Sequence, residues 1–261
     1  MTMSLVTTNA ALVLGLMTFL WLASIKLRDV SIVDPWWSIA FLIVTAHTSV
    51  ATGLGPRKLV LLVLVALWSL RLFVHLFRRS LGKPEDPRYT AFRVRFGAER
   101  YWWFSLFQVF LLQGSLALLV SAPLQLAASR GPDEPFRILD GLGLALFAVG
   151  FAFEAAADHQ LQVFRDNPAN KGRVLDRGLF AWTRHPNYFG EAVLWWGFGC
   201  FALDSLAGAA TLLGPVLMTF LLVRVSGVSM LDEHLSRTRA GYADYVARTS
   251  GFFPRRPRQR G

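Results

Sequence analysis

The chain has 261 residues, of which 54% are hydrophobic and 17% are charged. Soluble domains carry about 25% charged residues, so this composition excludes an ordinary soluble protein and indicates a membrane protein. The net charge of +10 lies mainly in loops between apolar stretches, a pattern typical of membrane proteins and not of nucleic-acid-binding ones.

Seven apolar segments predict an all-α, polytopic integral membrane protein, because one helix across a bilayer needs about 20 apolar residues. In chain order they cover residues 5–25, 31–53, 59–77, 102–126, 138–158, 188–203 and 206–225. The last two are short and are separated by little more than Asp204, which predicts a tight hairpin and leaves six spans as the alternative.

The loop charges predict an orientation with the N-terminus outside and the C-terminus cytoplasmic. In that orientation 22 Lys and Arg fall in the inside segments and four in the outside loops. Cytoplasmic loops are enriched in Lys and Arg, so this asymmetry supports the orientation. It also favours seven spans over six, because six would place the basic tail outside.

Metal and disulfide chemistry are not expected. The single cysteine, Cys200, leaves no partner for an intramolecular disulfide and no CxxC motif. His47, His75 and His159 show no ligand spacing. The first apolar run lacks a basic segment before it and is interpreted as a spanning helix, not as a cleaved signal peptide.

Polar residues at membrane depth are functional hypotheses by default. Glu154, Asp158, Gln162 and Arg165 share one helical face, since residues three or four apart are neighbours on a helix. This face predicts either the polar wall of a ligand cavity or a hydrogen-bonded helix end in which Asp158 pairs with Arg165 or Gln162.

A second polar segment begins at Arg184, with His185, Pro186, Asn187 and Tyr188. Proline suits the first turn of a helix, and a helix start with an arginine predicts a phosphate or carboxylate site. The alternative is an ordinary capped helix start.

Asp34 also has two possible roles, one structural and one functional. It either caps the second spanning helix, with Pro35 at the first helical position, or serves the chemistry of a site.

These motifs resemble the steroid 5-alpha-reductase C-terminal domain family, and most closely its bacterial DUF1295 branch. The resemblance is carried by DRGLF from Asp176, RHPNYFGE from Arg184, GYADY from Gly241 and TSGFFP from Thr249, with DVSIVD from Asp29 and EDPRY from Glu85. It covers most of the chain from residue 29 onward.

The resemblance implies a membrane reductase with seven helices that uses NADPH, held between the later helices on the cytoplasmic side. By matching motif positions, the cofactor contacts would be Asp158, Arg165, Asn167 and Asn187, with Arg184, Tyr188, Glu191, Arg224, Tyr242 and Tyr245 as companions. The sequence has no GxGxxG, so no Rossmann domain is expected.

Family chemistry implies reduction of an activated C=C bond, with an acid and a tyrosine hydroxyl polarising the conjugated carbonyl. Asp34 matches the position of the family's glutamate and is one methylene shorter. Tyr89 is the predicted hydroxyl partner, with Tyr101 in reserve. The substrate would be a sterol, polyprenyl or fatty acyl chain that enters from the bilayer.

A single membrane domain is expected, in a bacterial inner membrane and surrounded by its lipids. Residues 1–137 would form the substrate side, 138–254 the cofactor-binding region and 255–261 a basic disordered tail.

Two other functions remain as alternatives. Membrane methyltransferases of the isoprenylcysteine carboxyl type also carry an RHPxY motif and bind S-adenosylmethionine, and Asp232-Glu233 would serve as their acidic pair. A non-enzymatic lipid-binding or transport protein is the other alternative, although the sequence shows no internal repeat of the kind found in many transporters.

Overall fold

The computed structural model describes residues 2–225 and 228–257, and this part of the chain is nearly all helical. Eleven helical stretches follow one another along it. They are α1 Met3–Leu27, α2 Val33–Ala51, α3 Pro56–Ser80, α4 Pro87–Phe96, α5 Ala98–Val120, α6 Ala122–Ala128, α7 Ile138–Asp166, α8 Pro186–Cys200, α9 Leu206–Val225, α10 Val228–Thr238 and α11 Tyr242–Arg248. Two of them contain a stretch of π-helix, Leu106–Leu111 in α5 and Leu221–Val225 in α9.

Six helices in the described part are long and apolar enough to cross a membrane, which confirms the predicted all-α, multi-pass membrane fold. They are α1, α2 with the turn Val30–Ile32 before it, α3, α5, α7 and α9. The sixth predicted span, residues 188–203, corresponds to α8, which has 15 residues and falls short of the roughly 20 that cross a bilayer core. The count of seven and the orientation stay predictions.

The chain divides into two compact units. The first comprises residues 1–136 together with Asp204–Thr211, and the second comprises 137–203 with 212–261. The division after residue 136 falls beside the predicted boundary after residue 137. The assignment of Asp204–Thr211 to the first unit has no counterpart in the sequence prediction.

In the first unit, side chains define two helix starts that face each other. Asp29 caps the turn Val30–Ile32 by accepting from the Ser31 amide at 2.8 Å. Asp86 caps α4 by accepting from the Arg88 amide at 2.9 Å, with Pro87 at the first helical position. Such caps satisfy amides that have no partner within the helix, and they fix where the two motifs begin.

In the second unit, α7 and α8 pack at glycine contacts. A Cβ added at Gly150 would lie 2.5 Å from the Gly190 carbonyl oxygen, and one added at Gly197 would lie 2.7 Å from that of Gly143. Small residues let membrane helices approach to backbone contact. This packing sets the start of α8 against the polar part of α7.

The C-terminal segment is held on the stretch before α8. The Arg184 amide donates to the Ser250 carbonyl at 2.8 Å and the Arg255 amide to that of Trp182 at 2.9 Å. The Thr183 hydroxyl donates to the Phe252 carbonyl at 2.9 Å. The TSGFFP motif is therefore a fixed part of the second unit. Residues 258–261 of the tail predicted to be disordered lie outside the described residues.

Candidate functional site

A cavity of about 300 Å3 lies in the second unit, between the end of α7, the loop after it and the pair α10–α11. This volume is at the lower end of the range for small-molecule sites. One part of its wall is apolar and includes Leu161, Phe164, Val174, Leu175 and Phe180. The rest of the lining is polar and includes five cationic side chains, Arg165, Lys171, Arg173, Arg184 and Arg239.

Local hydrogen bonds shape the loop that lines this cavity. Asn167 accepts from the Ala169 amide at 3.0 Å, and the Asn170 side chain donates to the Phe164 carbonyl at 2.9 Å. The Tyr245 hydroxyl donates to the Phe180 carbonyl at 2.6 Å, which ties α11 to the apolar wall. The cavity wall is thus built from segments far apart in sequence.

Asp232 is the centre of a hydrogen-bonded cluster beside the cavity. It accepts from Arg184 Nη2 at 2.7 Å, pairs with His185 Nε2 at 2.9 Å and accepts from the Tyr242 hydroxyl. Burial alone would raise the pKa of the Asp232 carboxyl, but the bonds from His185, Arg184 and Tyr242 outweigh it and hold that pKa well below its usual range. Asp232 is therefore a carboxylate at neutral pH.

Arg184 is largely engaged in this cluster. Its Nε and Nη2 donate to Asp232 at 3.3 and 2.7 Å, and its Nη1 donates to the Thr249 carbonyl at 2.7 Å. The sequence suggested an arginine directed at an anion. In the structure, Arg184 mainly connects the start of α8 to α10 and to the C-terminal segment, with one edge on the cavity.

The lining fits a ligand with several negative charges. None of the described residues that line the cavity is an Asp or a Glu, so cationic side chains dominate the charge of its lining. Arginine and lysine are the usual partners of phosphate, and the apolar wall suits a flat ring system. Dinucleotides combine both features.

Half of the predicted cofactor residues line this cavity. They are Arg165, Asn167, Arg184, Tyr242 and Tyr245. The other five, Asp158, Asn187, Tyr188, Glu191 and Arg224, are not part of its lining, and their contact with a cofactor stays a prediction.

Four of these five residues belong to α7 or α8. Asn187 donates to Asp158 at 3.3 Å, and the Tyr188 ring stacks on His185 with centroids 5.5 Å apart. Glu191 is buried in α8, whereas Arg224 is exposed at the end of α9. Gln162 does not bond Asp158 as one sequence alternative had it, but donates to Asp166 at 2.8 Å.

Three cations of the lining were not singled out in the sequence. From the sequence, Lys171, Arg173 and Arg239 were counted only among the 22 Lys and Arg of the predicted inside segments. The one sequence feature that could have pointed to them is the high density of basic residues in the loop after α7, which includes Lys171 and Arg173. Arg224, which was expected among the companion residues of the cofactor site, does not line the cavity.

In the first unit, the structure brings the predicted acid and hydroxyl together. The Tyr89 hydroxyl donates to Asp34 Oδ1 at 2.6 Å, and Gln113 donates to that hydroxyl at 3.3 Å. Burial raises the pKa of Tyr89, and the nearby Asp34 carboxylate raises it further. Tyr101, the reserve choice, is fully buried elsewhere on α5, with the Arg93 guanidinium over its ring at 5.1 Å.

Arg88 completes this group and was not predicted. Its Nη2 donates to Asp34 Oδ2 at 2.7 Å, and its Nε donates to Asp86 at 2.9 Å. Asp34 therefore accepts two hydrogen bonds from α4. It is not the N-cap of α2, a position taken by Ile32, so the capping alternative for Asp34 was wrong.

The two motifs around this group bind each other. The Val30 amide donates to Glu85 at 2.9 Å, and Glu85 in turn pairs with Arg93 at 2.8 Å. These contacts join DVSIVD to EDPRY although more than 50 residues separate them. Both motifs were identified from the sequence, but nothing in the sequence predicted that the two segments would be in contact.

Comparison with known proteins finds a family match over most of the chain. The model of a family described as "Protein of unknown function (DUF1295)" matches residues 20–249. An uncharacterised protein of Schizosaccharomyces pombe is 27% identical over 262 residues, which cover 90% of this chain and 76% of that protein. No solved structure matches the chain.

A second relative is similar over a shorter stretch. A Ustilaginoidea virens protein described as a probable O-methyltransferase is 33% identical over 97 residues, which cover 36% of this chain and 32% of that protein. Both relatives are fungal, so the expected bacterial branch and the bacterial inner membrane have no support from them.

Proposed function

The chain belongs to the DUF1295 family, and we propose that it is a membrane-embedded reductase that uses NADPH to reduce an activated C=C bond of a lipophilic substrate. The observation that carries this proposal is the cavity of the second unit. It combines five cationic side chains with an apolar wall and has no carboxylate among its described lining residues.

Charge explains the preference for a phosphorylated cofactor. NADPH carries phosphates on both of its nucleotides, and each phosphate that meets an arginine forms a charge-assisted hydrogen bond. Arg165, Lys171, Arg173 and Arg239 are the residues assigned to these phosphates. Tyr242 and Tyr245, which are held by Asp232 and by the Phe180 carbonyl, would stand beside the rings.

A nicotinamide, when bound, would supply a hydride to the electrophilic carbon of the substrate, and a proton from solvent would complete the reduction of the C=C bond. The first unit, taken by itself, contains a hydroxyl and a carboxyl group, those of Tyr89 and Asp34, that could bind a carbonyl oxygen. The Tyr89 hydroxyl donates a hydrogen bond to Asp34 Oδ1. The Arg88 guanidinium donates one to the other oxygen of the same carboxyl group. A substrate oxygen that replaces Asp34 as the acceptor of the Tyr89 proton would be polarised as charge builds on it.

The membrane setting supports a lipophilic substrate. Six helices of the described residues are long and apolar enough to cross a bilayer, and a protein embedded in this way can take an apolar molecule from the lipid phase. A sterol, a polyprenyl chain and a fatty acyl chain all satisfy this condition.

The second candidate is an S-adenosylmethionine-dependent methyltransferase, which the partial similarity to the probable O-methyltransferase favours. Against it stands the cavity lining. S-adenosylmethionine carries a sulfonium cation and no phosphate, so five cations and no carboxylate in the described lining are poorly matched to it.

A binding experiment separates the two. Purified protein in detergent is titrated with NADPH, NADH and S-adenosylmethionine, with binding followed by calorimetry. We expect NADPH to bind, and its affinity to fall as salt rises, because surface-accessible phosphate contacts are screened. Binding of S-adenosylmethionine without binding of either dinucleotide would replace the reductase by the methyltransferase, and binding of none would leave a non-enzymatic lipid-binding protein.

A further inference from the structure

One end of the first unit combines a short helix with an unusual separation of charges. Helix α4 lies in the connector 81–97, between α3 and α5, which are both long and apolar enough to cross a membrane. Since both ends of the connector continue into spans, the connector starts and finishes at the same face of the bilayer. Its ten-residue helix is only about 15 Å long and stays beside that face.

Three of the four acidic residues of this end, Asp29, Glu85 and Asp86, are bound by other groups of the protein. Glu85 pairs with Arg93 at 2.8 Å and Asp86 with Arg88 at 2.9 Å, and the Glu85 side chain is 11% exposed. Asp29 accepts from Ser31. These carboxylates are therefore satisfied by the protein itself.

The basic residues are turned outward. In the described stretches 26–30 and 78–100, seven cations are exposed against a single exposed carboxylate, Glu99. The exposed cations are Lys26, Arg28, Arg78, Arg79, Lys83, Arg95 and Arg100. Folding thus converts a mixed sequence into a surface with a strong excess of positive charge.

Apolar side chains stand among these cations. Val94 is 80% exposed and Leu81 is 67% exposed. Trp21 stacks on Trp102 with ring centroids 6.1 Å apart and donates to its carbonyl at 2.6 Å. Tryptophan is enriched at the level where hydrocarbon meets the headgroups, so this pair independently marks the depth at which α4 lies.

We propose that this surface, made of α4 and the seven exposed cations around it, is a docking site for the anionic headgroups of the bilayer. The cations bind lipid phosphates, and Val94 and Leu81 enter the boundary between headgroups and acyl chains. Each Lys or Arg near an anionic membrane surface contributes to such attraction, and exposed apolar groups beside it add to the binding.

Lipid is the occupant because of where the surface lies. Two spans hold it against the bilayer, and its charge is opposite to that of anionic lipid. Docking would also steady Tyr89, which lies on the buried face of the same helix and bonds Asp34. The inference does not depend on the cofactor or on the reaction.

The test measures the depth of Val94 in the membrane. A spin label is placed on Val94→Cys in a Cys200→Ser background, and the protein is reconstituted in bilayers of phosphatidylcholine with or without phosphatidylglycerol. We expect the label to be accessible to oxygen and shielded from a water-soluble nickel complex, and more so with phosphatidylglycerol. A label on Gly131→Cys, in an exposed turn with open space around it, is the control that should stay in water in both bilayers.

Charge variants make the test specific. The triple variant Lys83→Gln, Arg95→Gln, Arg100→Gln should lower the preference for spin-labelled phosphatidylglycerol over phosphatidylcholine by roughly tenfold. A second triple variant that keeps the charges, Lys83→Arg, Arg95→Lys, Arg100→Lys, should show the same lipid preference as wild type. Equal nickel accessibility in both bilayers, an unchanged preference in the triple variant, or shielding that requires an added soluble acidic protein would each overturn the proposal.

Discussion

The Arg184 guanidinium donates to both carboxylate oxygens of Asp232, at 2.7 and 3.3 Å, yet only Arg184 lines the cavity. Asp232 also binds His185 and Tyr242, so one carboxylate holds two side chains from the segment before α8 and one from α11. The shape of the cavity wall depends on a residue that does not line it.

Replacing Asp232 by Asn should therefore destabilise the protein by about 2 kcal/mol or more, because Arg184 and His185 lose a charged partner. The depressed pKa of Asp232 sets the pH dependence. Its contribution is fully present above the ordinary aspartate pKa of about 4 and is lost as pH falls through the lower value of the folded state. Denaturant unfolding in micelles should show a gap between the two proteins that is constant at neutral pH and closes in acid.

Glu233→Gln is the matched control for that measurement, since Glu233 is 64% exposed and pairs only with Arg237 within its helix in the described contacts. It should change stability by less than about 0.5 kcal/mol. An Asp232→Asn protein as stable as wild type at neutral pH would contradict the role assigned to the carboxylate.

The cations of the cavity should determine dinucleotide affinity. Arg239→Gln and Arg173→Gln are each expected to weaken NADPH binding by about tenfold, since a charge-assisted hydrogen bond contributes about 1.5 kcal/mol or more. Arg237 lies two residues from Arg239, but its side chain is 75% exposed and is not part of the lining. Arg237→Gln should therefore bind NADPH with the affinity of wild type. Equal losses in all three variants would point to general charge and not to the cavity.

Gly190 should be essential to the packing of α7 against α8. A Cβ there would lie 2.5 Å from the Glu154 amide nitrogen and from the Gly150 carbonyl oxygen. Because backbone atoms cannot move aside as a side chain end can, Gly190→Ala should lower stability by about 2 kcal/mol. Thermal unfolding in detergent checks this, with Gly15→Ala as the control, because nothing lies within 4 Å of a Cβ at Gly15.

Tyr89 should resist alkaline titration. Burial and the bond to Asp34 raise its pKa, so it should remain protonated at pH values where exposed tyrosines ionise, about pH 10. The near-ultraviolet tyrosinate signal of wild type minus Tyr89→Phe isolates it. In Asp34→Asn the negative charge is absent, and the titration should move to lower pH; an unchanged titration would mean that the two side chains are not in contact.

The sequence by itself determined the class of protein. Apolar segments of membrane length and their separation by basic loops require only counting, because the bilayer imposes length and polarity on each helix separately. The start of α8 at Pro186 could also be predicted from neighbouring residues alone. Proline lacks the amide N–H that the first turn of a helix leaves without a partner.

The tertiary structure decided which polar residues act together. Asp34 was suspected, but its partner Arg88 and its contact with Tyr89 arise from the meeting of two distant helix starts. Arg184 had the sequence of an anion site, yet Asp232 engages most of its donors. Local periodicity fixes the face on which a side chain lies, whereas its partner is fixed by packing between segments that the sequence does not place together.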